Sequence, residues 1–312
     1  MGRKGGPEER LVPAAGFELA TVTVRGLDRD AAWKNLALPV LIPASLVAAL
    51  RIVDRFKPDV VLGMGGYVMA PAVAAARIRR VPYVLHEKDV RPGLATRMFA
   101  GGAAAICTTL PGTEARLKGR KVVMTGVPLR DGFERRTPAV PPRRLLITGG
   151  SQGARRLNQA TWSALDQLCD RFEEVVHLAG SQGAEGIAQH ARRGYRGLAF
   201  ADDMQALMRD ADIVVGRAGV GTIAEAAAVG LPMVLVPGTF GGGHQEENAA
   251  AMVAAGAAVR IADDDLDGSS LVSTLDGLDA DRLRAMAAAS ASTGRRDAAA
   301  RVLAVLREVA RR

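Results

Sequence analysis

Aromatic side chains make up only 4% of this 312-residue chain, and cysteine occurs twice, at Cys107 and Cys169. So few aromatics leave little to stack single-stranded bases on, and no zinc-finger or helix-turn-helix spacing is present, which argues against nucleic acid as a partner. Two cysteines, each in or beside an apolar stretch, make no disulfide framework and read as buried free thiols. No apolar run reaches the roughly 18 residues that a membrane span needs. The basic start MGRKGGPEER has no apolar stretch behind it, so it does not read as a secretory signal. Asp-rich metal motifs are also lacking, and the three aspartates at 263–265 sit after a strand-like run, where they read as solvated surface.

What is present is positive charge and alternation. Lys and Arg number 41 against 33 Asp and Glu, a net charge of +8. Such a balance suits a phosphorylated substrate or an anionic lipid surface; an Arg-rich surface kept soluble accounts for it equally well. Hydrophobic residues at 48% and charged residues at 24% describe a globular protein long enough for two domains.

Short apolar runs alternate with helical patterns along the whole chain. Strand candidates are 17–24, 59–65, 82–87, 104–109 and 121–126, then 144–150, 174–180, 197–203, 212–219, 233–238 and 257–263. Strand–helix–strand repetition with continuously apolar strands predicts parallel sheets covered on both faces. Between the two series, VPLRDGFERRTPAVPPRR is rich in proline and charge without periodicity and predicts a linker. The expected organisation is a first domain over 1–130, a linker over 131–143, a second domain over 144–298 and a last helix over 299–312 returning to the first. The fold class is α/β, two Rossmann-like, doubly wound domains facing a cleft, with ligands at the carboxyl ends of the strands.

That rim collects the unusual residues. LLITGGSQGARRLN runs a strand through a glycine-rich turn into a helix starting near Ala154, which offers Ser151, Gln152, Gly153 and unpaired main-chain N–H groups to a phosphate. A tight turn that needs glycine for positive φ is the competing account. RAGVGTIAEAAAVGLP repeats the junction with Val220, Gly221 and Thr222. Its Glu225 either caps the helix or accepts bonds from two ribose hydroxyls. GTFGGGHQEEN ends a flexible loop with His244, Gln245 and Asn248, suited to a polyhydroxyl ligand. HEKDVRPGLATR brings His86, Glu87 and Asp89 out of a strand. These are the polar end of a cleft or a histidine that holds its own loop, not a metal site.

Taken in order, HEKDVRPGLATR, GMGGYVMAP, MTGVPLR, GGSQGARRLN, DDMQALMRDADIVVGRAGVGTIAEAAAVGLPMVLVP and HQEENAAAMVAAGAA resemble the MurG family of bacterial glycosyltransferases. The resemblance implies the GT-B fold and an inverting transfer of N-acetylglucosamine from UDP-N-acetylglucosamine to lipid I, giving lipid II for peptidoglycan. It implies no cofactor and no metal, and a place on the cytoplasmic face of the cell membrane as a peripheral enzyme. Carried over by position, Ser151 with the neighbouring amides of Gln152 and Gly153 meets the diphosphate, and Arg130 lies near the donor at the cleft. Ala201 offers its backbone to uracil, Val220, Gly221 and Thr222 hold the nucleoside with Glu225 on the ribose, and Gln245 with His244 reads the sugar. An anionic membrane surface is the further partner, met by the apolar and basic stretch AAWKNLALPVLIPASLVAALRIVDRFK; a helix packed on the sheet explains most of the same residues.

Two departures bear on activity. Where the family reads HEQN this chain reads His86-Glu87-Lys88-Asp89, so a carboxylate that only accepts replaces an amide that also donates. The family also opens with a strand, a GGTGGH-type loop and a helix, whereas GRKGGPEERLVPAAGFELA resembles the segment after its second strand. In a sheet of order 3-2-1-4-5 the first strand is central, so a gap is expected there, with each lost backbone partner costing about 1–3 kcal/mol. The readings are a misassigned start, a truncated sequence or a protein without the normal activity. No residue inherits the histidine of that loop, and His86 and Glu87 are the nearest substitutes for a base. Another acceptor, or nucleotide-sugar binding without catalysis, are the alternative functions.

Overall fold

The computed structural model describes residues 1–26, 38–117, 119–150, 153–239 and 243–311. Ser151 and Gln152 of the glycine turn, Lys34 of the basic stretch and the tip of the 238–245 loop at 240–242 lie outside the described residues. The first half runs β1 (Gly2–Arg3), α1 (Glu8–Ala14), β2 (Thr21–Val22), α2 (Leu38–Phe56), β3 (Val61–Gly63), α3 (Met69–Ile78), β4 (Tyr83–Glu87), α4 (Leu94–Phe99), β5 (Ala105–Thr108) and β6 (Val122–Met124). The second runs β7 (Arg144–Thr148), α5 (Arg155–Ser163), α6 (Leu165–Arg171), β8 (Glu174–Leu178), α7 (Ala184–Gln189), β9 (Tyr195–Leu198), α8 (Met204–Asp210), β10 (Ile213–Gly216), α9 (Val220–Val229), β11 (Met233–Leu235), α10 (His244–Ala254), β12 (Ala258–Arg260), α11 (Gly268–Asp276), α12 (Ala280–Thr293) and α13 (Ala298–Ala310).

Every strand pairing is parallel. The second half is doubly wound, with sheet order β12-β11-β10-β7-β8-β9. The chain moves outward from β7 in one direction and then returns to build β10, β11 and β12 in the other, so the winding reverses between β7 and β10. Both faces of this sheet are dry. Leu146, Val214 and Met233 point to one core with Ile223, Ala226 and Met252, while Leu145, Ile147 and Val215 point to the other with Leu157, Leu168 and Leu271. Two-sided burial is why these strands read as unbroken apolar runs.

In the first half the sheet is interrupted, as the sequence leads one to expect. β3-β4-β5-β6 form a four-stranded sheet, and β1-β2 form a separate pair. The expected gap lies between them, as a cleft of about 620 Å³ lined by Met1, Ala20, Val53, Val61, Leu62 and Met69. Among the described residues β3 is paired along one edge alone, with β4. One face of the four-stranded sheet is covered by α3, through Met69, Val73 and Ala76. Its other face is covered by α13, which crosses back from the end of the chain and buries Val302, Val305 and Val309 against Val84, Ala105 and Cys107. A fully buried valine contributes about 1.5–3 kcal/mol, so this helix is a substantial fastening between the two halves.

Helix boundaries follow local chemistry. Helix α9 stops at Gly230, whose φ of +93° is the left-handed conformation that suits a C-terminal cap, and Pro232 follows two residues later. α2 is different: it buries a narrow stripe of Ser45, Ala49 and Val53, while Val40 is 73% and Ile42 61% exposed.

Candidate active site

The reversal between β7 and β10 sets two strand-to-helix junctions side by side. From β7 the chain passes Gly149 and Gly150 and, from Gly153, leads into α5; from β10 it passes Arg217, Ala218 and Gly219 into α9. Both α5 and α9 begin behind extended residues, Ala154 and Gly219, that have no side chain able to cap the free N–H groups of the first turn. Gly150 and Gly153 have φ of +81° and +82°. A Cβ at Gly153 would stand 2.1 Å from the carbonyl oxygen of Ala179, so no other residue fits. The turn is braced by Gly150 N–H donating to Thr148 Oγ1 at 3.2 Å and Gly153 N–H donating to Gly150 O at 3.0 Å. Such a cradle, at the positive end of a helix, suits a phosphate.

Val220, Gly221 and Thr222 form the first turn of α9. Glu225 is its sixth residue, in the second turn, and makes no cap; the capping account is therefore overturned because the helix begins earlier than the spacing suggested. Burial pushes the Glu225 carboxyl up to about 7, with the Arg130 cation pulling it partly back. Arg130, exposed in the loop after β6, lies within electrostatic reach of Glu225. Ala201 is half-buried just before α8 and packs against the same core as Ile223.

Helix α10 carries the third group. Gln245 is turned back on its own loop, where Oε1 accepts from Gly238 N–H at 2.8 Å. His244 is the first residue of the helix, half-buried, with Nδ1 enclosed and without a hydrogen bond. Asn248 is not open to a ligand, contrary to the sequence reading. It is fully buried, its Oδ1 accepts from Val90 N–H at 3.0 Å, and its Nδ2 donates to Asp89 Oδ1 at 2.8 Å and Ala218 O at 3.2 Å.

The strand end at His86 and Glu87 is tightly organised. His86 is closed to solvent, and Nε2–H donates to Gly126 O at 2.9 Å, which leaves Nδ1 bare and enclosed. Burial holds its pKa below the ordinary imidazole value, with Lys88 adding to the effect. Glu87, 5% exposed, accepts from Lys88 N–H at 3.0 Å, Asp89 N–H at 3.2 Å and Gly93 N–H at 3.0 Å. Its carboxylate is the internal frame of the 88–93 loop. Asp89 alone of the three reaches the second half of the chain, through Asn248.

Other findings have no counterpart in the sequence reading. The turn at 263–265 is only partly solvated: Asp263 lies against Arg217, 2.5 Å from Nη1, so the aspartate run helps fix the junction after β10. Asp212, 3% exposed, gathers the linker by accepting from the N–H groups of Ala139, Arg143 and Arg144 and from the Arg136 guanidinium. An aspartate directly before the apolar run IVVG was the available signal for it.

Comparison with known proteins accords with this geometry. The glycosyltransferase family 28 N-terminal domain matches residues 1–108 and the family 28 C-terminal domain matches 144–302. A UDP-N-acetylglucosamine–N-acetylmuramyl-(pentapeptide) pyrophosphoryl-undecaprenol N-acetylglucosamine transferase of Nocardioides sp. is 38% identical, over 99% of this chain and 88% of its own length. The protein of the same name from Moorella thermoacetica is 37% identical, over 98% and 89%. The crystal structure of Acinetobacter baumannii MurG superposes with a TM-score of 0.80 at 27% identity, over 98% of this chain and 89% of that one. A calicheamicin glycosyltransferase, CalG4, follows at TM-score 0.67 and 18% identity and shares the fold. From both domain matches and these full-length relatives, the chain belongs to glycosyltransferase family 28 and, within it, to the MurG family.

Proposed function

We propose that the chain transfers N-acetylglucosamine from UDP-N-acetylglucosamine to lipid I, with inversion at the sugar, on the cytoplasmic face of the cell membrane. The observation that carries this reading is the meeting, at one topological reversal, of the glycine turn after β7 with the start of α9, the helix that bears Glu225. The first suits a diphosphate and the second a ribose beside a negative charge. In this assignment the acceptor hydroxyl attacks the anomeric carbon, its proton passing to solvent, while the bond to UDP breaks. The charge that grows on the leaving diphosphate is met by main-chain N–H groups at the turn, by the positive end of α5 and by the Arg130 cation. Glu225 accepts from the ribose hydroxyls. Val220, Gly221 and Thr222 line the nucleoside, Ala201 lies toward the uracil, and His244 and Gln245 lie toward the sugar.

His86 and Glu87 take a different role from the one their chemistry first suggests. Both are enclosed and both are engaged with main chain, so we assign them to shaping the 88–93 loop on the acceptor side. Their enclosure also favours a second reading, donor binding without transfer. Calorimetry with UDP and transfer of radiolabelled N-acetylglucosamine to a lipid I analogue separate the two. Heat with UDP and labelled lipid support the transferase; heat without labelled product supports the second reading; no heat with UDP overturns both.

No helix among the described residues is long and apolar enough to cross a membrane. Contact with an anionic lipid surface is supported by α2, where Val40, Ile42 and Val47 are exposed on the same helix as Arg51 and Arg55.

A further inference from the structure

Beneath the glycine turn lies a buried polar chain that the proposed transfer does not use directly. His177, at 0% exposure, is the fourth residue of β8, and Asn158, at 3%, lies in the second turn of α5. His177 Nδ1 is 3.0 Å from the Tyr195 hydroxyl, and Nε2 is 3.0 Å from Asn158 Oδ1. Asn158 Nδ2 donates to Ala179 O at 2.8 Å, and Trp162 Nε1–H donates to the Tyr195 hydroxyl at 3.0 Å.

The direction of every bond in this chain is fixed by chemistry. An indole N–H can only donate, and a backbone carbonyl can only accept. Asn158 must therefore turn its amide nitrogen to Ala179 and its oxygen to His177. That oxygen requires the proton of His177 on Nε2, so Nδ1 is bare and accepts from Tyr195, whose oxygen accepts from Trp162. One order, Trp162 to Tyr195 to His177 to Asn158 to Ala179, satisfies all five groups. Burial holds the His177 pKa down at about 4, with His190 adding to the effect, so the ring is neutral and the order is kept at neutral pH.

The chain ends at a carbonyl that matters. Ala179 O is the atom a Cβ at Gly153 would meet at 2.1 Å, so it is the floor on which the turn rests. The other side of Asn158 is equally full, because a Cβ at Gly183 would lie 2.6 Å from its Nδ2. A side chain of α5 thus pins the end of β8, and the end of β8 sets the height of the turn that leads into α5.

We infer that His177 is a positioning residue for the diphosphate, acting through Asn158 and Ala179 on the main chain at Gly153, where the glycine turn leads into α5. This rests on the reading of that turn as the donor-diphosphate site. The test compares UDP with uridine, which lacks the phosphates, for the wild-type chain, His177→Phe and His177→Gln. Phenylalanine fills the space and removes both nitrogens; glutamine keeps an N–H donor for Asn158. The expected result is a dissociation constant for UDP raised about tenfold in His177→Phe, uridine within twofold of wild type, and UDP largely restored in His177→Gln. Tyr195→Phe removes one hydroxyl with little change of volume and is expected to weaken UDP about threefold; it carries the comparison if His177→Phe does not fold. Amide hydrogen exchange without ligand supplies an independent readout, with faster exchange at 149–154 in the variant and unchanged exchange in α10. UDP and uridine weakening together, or UDP unaffected in folded variants, would overturn the assignment. A wild-type chain that binds neither ligand would instead overturn the donor-site reading, and unchanged exchange at 149–154 would then overturn the positioning role as well.

Discussion

Asn248 and Asp89, 159 residues apart in sequence, meet side chain to side chain at 2.8 Å and join the two halves of the molecule at the cleft. Asn248 also takes the N–H of Val90 and gives to the carbonyl of Ala218, so one amide holds the acceptor-side loop, the junction after β10 and α10 together. An aspartate at 89 suits this place because the amide nitrogen needs an acceptor and nothing more. The same carboxylate adds negative charge beside a site proposed for a diphosphate. Asp89→Asn, with its carbonyl turned to Asn248, keeps the bond and removes the charge. The expected outcome is an unchanged melting temperature and a KM for UDP-N-acetylglucosamine lowered a few-fold, measured in the transfer assay at low salt. Asn248→Ala strands the Val90 N–H, and urea denaturation is expected to show a loss of about 1–3 kcal/mol.

Glu225 sets a pH dependence. A carboxyl raised to about 7 is mostly protonated below that pH, and only its ionised form accepts from both ribose hydroxyls. Affinity for UDP is therefore expected to fall as pH drops from 8 to 6, more steeply than in Glu225→Gln, since titration of the diphosphate itself is common to both proteins. Calorimetry at three pH values reads the difference. Parallel slopes for the two proteins would remove Glu225 from the ribose.

His177 gives a stability prediction of the opposite kind. Its folded pKa, about 4, lies below the unfolded value of 6.5, so the folded state resists taking up the proton. Stability is fully present above pH 6.5 and is lost as pH falls through the window down to 4, by about 3 kcal/mol at most from this one group. Denaturation midpoints of His177→Gln, followed over that range, are expected to decline less than those of the wild type.

Asp212 anchors the linker, and its removal is expected to be costly. Asp212→Ala leaves the part-buried N–H groups of Ala139, Arg143 and Arg144 without their acceptor. At about 1 kcal/mol or more for each unsatisfied group, the loss reaches several kcal/mol, to be read as a lowered midpoint in urea. UDP affinity at 10 °C, well inside the folded range, is expected to stay within twofold.

The membrane proposal predicts flotation with vesicles containing anionic lipid at low salt and release at high salt. Ile42→Glu, on the exposed side of α2, is expected to abolish flotation without shifting the melting temperature.

How much of this was readable in advance follows from the range of the forces involved. Strands such as β4, β5, β7, β8 and β10 were visible because two-sided burial makes each an apolar run, whereas β9, at Tyr195–Leu198, is only partly buried and overlaps the expected 197–203 by two residues. The glycine turn was visible because glycine is required at Gly150 and Gly153 by their own backbone angles. β1, two residues long, leaves no periodicity to detect. Asn248 was misread as a free amide because both its decisive partners come from the loop after β4. Glu87 looked like a reactive acid, and only the fold shows the N–H groups of 88, 89 and 93 converging on it. His177 looked like one more member of a buried strand; its meaning comes from Asn158 and Tyr195, each roughly 20 residues away in opposite directions. Local conformation is written locally, whereas the partner of a polar atom is set by the tertiary fold.

The cleft beside β3 carries a colloidal consequence. Among the described residues β3 is paired only with β4, and its other margin lies beside an apolar hollow; such a margin is a template for further strands. In crowded solution two copies are drawn to zip together along it. Turbidity that rises with protein concentration, and clears when Leu62 becomes lysine, will report on that margin long before any melting curve does.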